Sequence, residues 1–331
     1  MPQTISIAMA TYNGAAHLQA QLDSLRDQTR RPDELIVSDD GSTDSTCCVL
    51  RDFAASAPFP VHLKRNAGQS GYAGNFNSVL TDCTGDLVFL CDQDDVWFPE
   101  KVETLWRAAQ SDPDNDVFMC DAELTDAALT PTGLTKLGQI RAAGLPDSSF
   151  VMGCCAAIRR RFLELVIPVP SGFPAHDNWI VGFAVGLGRR RIMEDRTLQY
   201  YRRHDATVTH SDVNAPRKLR RLAYMRNRLC DNLGKAYAGV LAERQQQLRM
   251  MCDRADSIIG AEIETPPGLE DMATDLRERV NALDRRIELL KYKSGYRFKF
   301  VLLDLIEGKY RHFNGIWTAM QDIIVKQAKN K

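Results

Sequence analysis

The sequence has no long apolar run and no paired-cysteine motif. No apolar run reaches the roughly 18 residues that a membrane-spanning helix needs. Its nine cysteines are an odd number and include no C-x-x-C pair, which argues against both a disulfide framework and a structural zinc site. The amino terminus also lacks a basic region followed by an apolar run, so we expect no signal peptide. These absences favour a cytoplasmic protein with reduced cysteines.

The glycine-rich stretch at residues 68–74 lacks the features of two phosphate-binding motifs. No Lys-Ser or Lys-Thr pair follows it, as a Walker loop requires, and the G-x-G-x-x-G spacing is absent. We therefore do not expect a dinucleotide site there. The glycines instead predict a flexible loop.

Charge is distributed unevenly along the chain. Residues 1–212 carry 19 lysines and arginines against 28 acidic residues, whereas residues 213–331 carry 23 against 15. An acidic first part suits a site that holds a cation, and a basic second part suits an anionic surface or partner. Because 331 residues exceed one average domain, we predict a core domain over 1–212 and a basic helical region over 213–331.

Short strand and helix patterns alternate through residues 1–125. The predicted strands are Ile5 to Ala10, Leu35 to Val37, Val61 to Leu63, Leu87 to Cys91 and Val117 to Cys120. Strands separated by helices predict an α/β fold with a doubly wound, mostly parallel sheet whose loops gather at one edge.

After residue 125 the pattern is less regular. Residues 126–150 predict irregular structure, and the apolar run from Phe150 to Ile158 predicts a further core strand. Three segments with helical periodicity complete the chain, at 217–255, 269–293 and 297–328. We therefore predict a helical C-terminal extension.

The segment from Leu87 to Trp97 combines a predicted buried strand with a dense group of carboxylates. Asp92, Asp94 and Asp95 lie within four residues directly after the strand. Open α/β sheets bind ligands at the carboxyl edge of their strands, and oxygen ligands suit Mg²⁺ or Mn²⁺. On its own, the segment is explained equally well by a metal–diphosphate site or by a solvated acidic turn.

Polar motifs like this one follow several of the predicted strands. Four of them, in chain order, are Ala10-Thr11-Tyr12-Asn13-Gly14, Ser38-Asp39-Asp40-Gly41-Ser42-Thr43-Asp44, Asn66-Ala67-Gly68 with Asn75, and Asp92-Gln93-Asp94-Asp95. This order resembles the family 2 glycosyltransferases, which have the GT-A fold and invert the anomeric centre. Two later motifs resemble the bacterial rhamnosyltransferase-like branch of surface polysaccharide and lipopolysaccharide synthesis: His176-Asp177-Asn178-Trp179 and Tyr201-Arg202-Arg203-His204. The resemblance covers residues 4–205.

The resemblance implies a donor site for a nucleotide diphosphate sugar. Thr11 and Tyr12 would contact the base and ribose, and Asp39 would accept a hydrogen bond from the pyrimidine N3–H. Asp92 would hold the sugar or the ribose. The other donor-site candidates are Asn13, Asp40, Asn66, Gly68, Asn75 and Gln93. The rhamnosyltransferase-like motifs favour dTDP-rhamnose or a related deoxysugar, with UDP-sugars as an alternative.

The resemblance also implies a metal site and a general base. Asp94 would ligate Mg²⁺ or Mn²⁺, with His204 as a further ligand or phosphate contact, although a lone histidine after a strand is more often structural. Asp177 would take a proton from the acceptor hydroxyl, unless it is an ordinary helix cap. The remaining candidates, near the acceptor or in supporting positions, are Asp95, Trp97, Gly153, His176, Trp179 and Arg202.

The last predicted helix has one apolar face followed by lysines. The face comprises Phe313, Ile316, Trp317, Met320, Ile323 and Ile324, and the lysines are Lys326, Lys329 and Lys331. Packing onto the core domain or a second subunit would explain it, and so would a peripheral membrane contact.

The sequence thus predicts a metal-dependent inverting glycosyltransferase with a glycan or lipid-linked acceptor. One alternative is a sugar-nucleotide-forming nucleotidyltransferase, which would normally carry a cation in the loop after the first strand, whereas residues 11–15 carry none. A catalytically inactive scaffold of the same fold is the other. We expect no nucleic-acid partner, and a cytoplasmic location that includes the inner face of the membrane.

Overall fold

A computed structural model describes most of the chain in two compact units. The units comprise residues 1–220 and 221–331. The described residues are 4–68, 70–204, 217–221, 224, 226–227, 237–261, 264–313 and 315–325. Within these ranges, no helix has the length and apolar character needed to cross a membrane.

The first unit is built on a nine-stranded sheet. Its strands are β1 (Ile5–Thr11), β2 (Glu34–Asp39), β3 (Val61–Arg65), β4 (Leu87–Cys91), β5 (Val96–Trp97), β6 (Val117–Thr125), β7 (Pro131–Thr135), β8 (Ala156–Arg159) and β9 (Arg190–Arg202). The strand order is β3-β2-β1-β4-β8-β6-β9-β5, and β7 pairs with β6. The helices of this unit are α1 (Ala15–Arg26), α2 (Thr46–Ser56), α3 (Tyr72–Asp82), α4 (Lys101–Ser111), α5 (Lys136–Ala142), α6 (Arg160–Val166) and α7 (His176–Gly186).

The sheet is mostly parallel, which confirms the predicted fold class. Strands β3, β2, β1 and β4 run parallel to one another, and β6 is parallel to β9. All five residues of β4 are buried. Such a strand needs apolar side chains on both faces, which explains its unbroken apolar run. The carboxyl ends of β1, β2, β4, β6 and β9 therefore lie at one edge of the sheet.

Two predictions between residues 126 and 158 were wrong. Residues 126–150 are not irregular, since they contain β7 and α5, and the strand predicted from Phe150 begins only at Ala156. Gly153–Cys155 forms a turn of 3₁₀ helix before it. The chain leaves β6 at the carboxyl edge and re-enters the sheet from that edge. Strand β8 is consequently antiparallel to both β4 and β6, and Gly153 lies at the edge.

The second unit is helical. Its helices are α8 (Tyr237–Gly260), α9 (Leu269–Leu289), α10 (Ser294–Ile306) and α11 (Ile316–Ile324). The predicted continuous helix over 297–328 was wrong, because the chain turns between α10 and α11 at Gly308, whose φ of +74° is left-handed. Phe313 and Ile323 pack inward against a core cluster. Most of residues 217–236, and Lys326, Lys329 and Lys331, lie outside the described residues.

Candidate active site

A cavity of about 630 Å³ opens at the carboxyl edge of the sheet. Its walls come from the ends of β1, β2, β4 and β9, from the start of α3 and α7, and from the segments before β8 and at the start of α5. The polar residues lining it are Thr11, Tyr12, Asn13, His17, Asp40, Tyr72, Asn75, Asp92, Gln93, Asp94, Lys136, Asp177, Tyr201 and His204. Motifs more than 160 residues apart in the sequence thus meet in one place.

Gln93 connects the loop after β1 to the acidic loop after β4. Its side chain accepts a hydrogen bond from the Tyr12 backbone N–H at 2.9 Å and donates one to the Tyr12 carbonyl at 3.0 Å. Gly14 leaves room for this contact, because a Cβ there would lie 2.2 Å from Gln93 Oε1. Asn75 supports the same loop by donating to the Thr11 carbonyl at 3.1 Å. Gln93 and Asn75 therefore fix the backbone of the predicted donor loop.

Both carboxylate oxygens of Asp39 accept hydrogen bonds from nearby residues of the protein. Oδ2 accepts from Thr11 Oγ1 at 2.9 Å and Ser42 Oγ at 2.6 Å, and Oδ1 accepts from the backbone N–H groups of Gly41 at 3.1 Å and Ser42 at 2.8 Å. Burial raises the pKa of Asp39, but the hydrogen bonds from Ser42 and Thr11 outweigh it and leave that pKa below its usual value. The carboxylate is thus ionised and lines a separate, smaller cavity.

Asp40 anchors the glycine-rich loop. Its carboxylate accepts from Asn66 Nδ2 at 2.8 Å and from the Gly71 N–H at 2.7 Å. Asn66 in turn accepts from the Gly68 N–H at 3.0 Å. Asn66 and Gly68, both predicted donor contacts, are not among the lining residues of the large cavity. They hold the loop that carries Tyr72 to its wall.

The three carboxylates after β4 have different surroundings. Asp95 is fully buried, where it accepts from Gln199 Nε2 at 3.0 Å and from the Arg202 N–H at 3.2 Å. Burial raises its pKa well above the usual value. Asp92 lines the cavity, and burial, followed by the charges of Asp94 and Asp177, raises its pKa to about 7. A cation bound beside Asp92 would favour its ionised form.

Asp94 and His204 form a contact on the cavity wall. His204 Nε2 lies 2.7 Å from Asp94 Oδ2, and the His17 ring lies 4.6 Å from the His204 ring between centroids. Arg202 donates to the carbonyls of Asp94 at 2.8 Å and Ala127 at 2.7 Å. Arg202 is therefore bound to the backbone of this loop, in a supporting position, and is not among the residues that line the cavity.

Two groupings at this site offer metal-ligand atoms. Asp92, Asp95 and Cys154 bring three such atoms within 4.8 Å of one another. However, Asp95 is fully buried, burial raises the pKa of the Cys154 thiol, and Mg²⁺ and Mn²⁺ prefer oxygen to sulfur. The pair Asp94 and His204 fits a divalent cation better, because its carboxylate and imidazole both line the cavity.

Asp177 lies in the first turn of α7 and also lines the cavity. Its Oδ1 accepts from the Asn178 N–H at 2.7 Å, and Oδ2 accepts from the Gly153 N–H at 3.4 Å. Burial raises the pKa of Asp177, while these backbone N–H groups and the Lys136 charge partly offset the rise. The cap position of α7 is Ala175, without a side-chain cap hydrogen bond, so the Asp177 carboxylate lies at the cavity wall and does not cap the helix.

Four of the residues predicted near the acceptor or in supporting positions lie in the core behind the site. His176 is fully buried and stacks on Phe76 with 3.7 Å between centroids, and burial lowers its pKa to about 3. Trp179 is buried and donates to the Val166 carbonyl at 2.7 Å. Trp97 and Asp95 are buried too. None of these four predicted residues lines the described cavity, because the apolar face of α7 and the short β5 turn them inward.

Replacing Gly153 with alanine should damage the site through packing. The added Cβ would lie 2.9 Å from His176 Nε2 and 3.3 Å from the Asp177 Cβ, and the stacked His176 ring has little room to move. We expect a loss of about 1–3 kcal/mol in unfolding free energy, typical of overpacking, measured by urea denaturation. Gly239→Ala is the control, since a Cβ there meets nothing within 4 Å. Equal stability of both variants would contradict this packing.

Four polar residues of the cavity were missed by sequence reasoning: His17, Tyr72, Lys136 and Tyr201. Tyr72 donates to Asp92 at 3.3 Å. Lys136 is buried, and burial lowers its pKa to about 8. It lies in the segment predicted as irregular, where no periodic pattern marked it. Tyr72 and Tyr201 lie within the glycine-rich stretch 68–74 and the motif at 201–204, and only that membership could have indicated them.

Comparisons with known proteins agree with this architecture. The family described as "Glycosyl transferase family 2" matches residues 6–166. The dTDP-rhamnosyl transferase RfbG of Shigella flexneri is 25% identical over 281 residues, covering 76% of this chain and 96% of that protein.

Solved structures share the fold at low sequence identity. TarS 1–349 of S. aureus in complex with UDP has a TM-score of 0.54 at 15% identity, covering 90% of this chain and 78% of that chain. Mannosyltransferase PcManGT of Pyrobaculum calidifontis, in complex with GDP-Man and Mn²⁺, has a TM-score of 0.50 at 17% identity, covering 98% and 85%. This chain thus carries a glycosyltransferase family 2 domain over residues 6–166, and its first unit has the GT-A fold.

Proposed function

We propose that this glycosyltransferase is metal-dependent and inverting, and that it moves a sugar from a pyrimidine nucleotide diphosphate to a glycan or lipid-linked acceptor. The observation that carries the proposal is the convergence of Asp92, Asp94 and Asp177 on one cavity. Acidic residues from distant segments have no packing reason to share a cavity wall, because their charges repel. A bound cation would account for Asp92 and Asp94, and a proton-transfer role would account for Asp177.

The donor would occupy the side of the cavity formed by the loops after β1 and β4. The Tyr12 side chain, exposed on a backbone that Gln93 fixes, offers its ring and hydroxyl to a base and ribose. Asp39 could contact the base only by sharing an oxygen that already accepts from Ser42 or Thr11. Similarity to RfbG, described as a dTDP-rhamnosyl transferase, favours dTDP-rhamnose, and the UDP complex of TarS keeps UDP-sugars open.

Asp94 and His204 would hold the cation. Mn²⁺ is present with GDP-Man in the mannosyltransferase of similar fold. Bound there, a divalent cation would neutralise the charge that develops on the departing diphosphate. Asp92, beside Asp94, would be ionised in the cation's presence and could accept hydrogen bonds from donor hydroxyl groups.

Asp177, at the part of the wall formed by the start of α7, would act as the general base. Its carboxylate would take the proton of the acceptor hydroxyl as that oxygen attacks the anomeric carbon. A single displacement on the face opposite the leaving group inverts the configuration. The buried Lys136 lowers the pKa of Asp177 through its charge and so favours the ionised base. The acceptor class, surface polysaccharide or its lipid-linked precursor, rests on the resemblance of the motifs at 176–179 and 201–204 to the rhamnosyltransferase-like branch.

Metal-linked nucleotide binding tests this proposal. We expect UDP or dTDP to raise the melting temperature much more with Mn²⁺ than with EDTA, because the diphosphate and the cation share ligands. At a ligand concentration of 100 times Kd the expected stabilisation is about 2.7 kcal/mol. NAD is the control ligand, since no dinucleotide motif is present. Shifts that are absent, or equal with and without metal, would contradict the proposed donor site.

A further inference from the structure

Helices α10 and α11 of the second unit have inverted polarity. They bury Arg297, Asp304 and Asp322, each at most 2% exposed, and they expose large apolar side chains. The most exposed of these are Phe298, Leu303, Ile306, Ile316, Trp317 and Ile324, hereafter the apolar face. Ordinary amphipathic helices on a protein surface show the opposite arrangement. The outward side of α10 and α11 thus suits an apolar environment.

The buried charges fix the two helices in this orientation. Asp322 accepts from Arg286 Nε at 2.7 Å and from the Tyr310 hydroxyl at 2.9 Å. Arg297 donates to the Asp322 carbonyl at 2.6 Å, and Asp304 pairs with Arg285 at 2.9 Å. Turning the apolar face inward would leave these buried charges unpaired, which is strongly unfavourable.

The apolar face is too large to be incidental. Ile306 is 74% exposed, Trp317 58% and Leu303 54%, and these side chains belong to helices that pack against each other. Contiguous exposed apolar surface of this kind marks an interaction site on a protein. Single exposed apolar residues elsewhere, such as Val240, need no such explanation.

The surrounding charge and aromatic content favour a lipid surface as the occupant. Residues 291–325 contain six lysines and arginines against three acidic residues, and two of those acids, Asp304 and Asp322, are buried in ion pairs. The exposed basic residues are Lys291, Lys293 and Lys299, together with Lys309 and Arg311, which form ion pairs with acidic residues. Exposed Tyr292, Tyr296 and Trp317 are side chains enriched at the membrane–water interface. A second copy of this chain would instead bring the same positive charges together.

We propose that the apolar face of α10 and α11 docks onto the surface of a membrane that contains anionic lipids. Its large side chains enter the boundary between headgroups and acyl chains, while the flanking lysines contact the lipid phosphates. The docking is peripheral, since no described helix is long and apolar enough to cross a membrane. It requires no donor, metal or acceptor and is therefore independent of the proposed function.

Vesicle flotation of the full chain tests the proposal. We expect the protein to float with phosphatidylcholine vesicles containing phosphatidylglycerol and much less with pure phosphatidylcholine. A triple variant, Leu303→Gln, Ile306→Gln and Trp317→Gln, should lower the partition coefficient at least about tenfold, because each side chain loses apolar burial. Lys299→Gln alone should lower it about fivefold. Val240→Gln, at an exposed apolar position of α8, is the control and should bind as the parent does.

Two results would overturn the proposal. One is the absence of flotation with the anionic vesicles. The other is a dimer by light scattering that the triple variant converts to monomers while vesicle binding is unchanged, because a second copy would then cover the apolar face. Far-ultraviolet circular dichroism confirms that the triple variant is folded. UDP binding by the parent and the variant separates this result from any failure of the donor site.

Discussion

Replacing Asp177 with asparagine should abolish sugar transfer while nucleotide binding is retained. Asparagine preserves the size of the side chain and can still accept from the Asn178 N–H, but it cannot take a proton from the acceptor. Loss of a general base typically costs about 10²–10⁴-fold in rate, and we expect kcat to fall by that amount. Product formation followed by mass spectrometry and the melting shift with UDP or dTDP measure the two effects separately.

Asp23→Asn is the matched control for this variant. Asp23 lies on α1, is exposed and pairs with Arg26 at 3.0 Å, and an exposed pair contributes only about 0–1 kcal/mol to stability. Its transfer activity should match the parent. Transfer by the Asp177→Asn variant within tenfold of the parent would show that another group is the base.

The pH dependence of the parent enzyme provides a check on the same residue. The base must be ionised, so kcat/KM should rise with pH through the pKa of Asp177 and level off above it. Because burial raises that pKa, the acid limb should lie above the ordinary carboxyl range near pH 4. If ionisation of Asp177 causes this rise in kcat/KM with pH, the residual activity of Asp177→Asn should not show the rise.

Replacing Asp94 with asparagine should remove the metal dependence of nucleotide binding. The amide keeps the shape of the side chain but loses the negative charge that a divalent cation needs. We expect the Mn²⁺-linked part of the UDP or dTDP binding energy to disappear and transfer to fall by at least about 10²-fold, since metal stabilisation of the leaving group contributes several kcal/mol. Calorimetric titration of nucleotide at several Mn²⁺ concentrations measures the first effect.

The contrast between the two variants separates their roles. Asp177→Asn should bind nucleotide and Mn²⁺ as the parent does, whereas Asp94→Asn should not. Circular dichroism must show both variants folded, because Asp94 also contacts His204 at 2.7 Å. An unchanged Mn²⁺ dependence in Asp94→Asn would move the metal site elsewhere in the cavity.

The sequence was most informative where local chemistry follows a regular strand. The alternation of strands and helices predicted a sheet with parallel strands, and parallel strands bring their carboxyl ends together. The loops carrying Tyr12, Asp40 and Asp94 were predicted to meet for that reason, and they do line one cavity. Family membership and the GT-A fold followed from the same motifs and were confirmed.

Residues whose position depends on tertiary packing were not predictable in this way. Lys136 reaches the cavity because β7 and α5 fold back over the edge, an excursion with no periodic pattern in the sequence. Trp179 was expected near the acceptor, but its indole donates to the Val166 carbonyl from within the core. A motif identifies the segment that reaches a site, whereas packing decides which of its side chains point into it.

The C-terminal helices show the same limit. Periodicity indicated an apolar face on the last helix, but it could not indicate on which side that face lies. The side on which the apolar face lies is determined by ion pairs between helices, such as Arg286 with Asp322 and Arg285 with Asp304. Because these ion pairs are formed inside the unit, the apolar side chains lie outside.

A donor screen tests the central claim most directly. The enzyme is incubated with UDP-, dTDP- and GDP-sugars in Mn²⁺ or EDTA, and the products are identified by mass spectrometry. We predict that a pyrimidine sugar nucleotide, with dTDP-rhamnose favoured, is consumed only with Mn²⁺ and releases the nucleoside diphosphate. Asp177→Asn should leave the donor intact. If added pyrophosphate converted the sugar nucleotide into a sugar phosphate and a nucleoside triphosphate, the protein would be a nucleotidyltransferase. Donor consumption that persists in EDTA would contradict the metal-dependent mechanism.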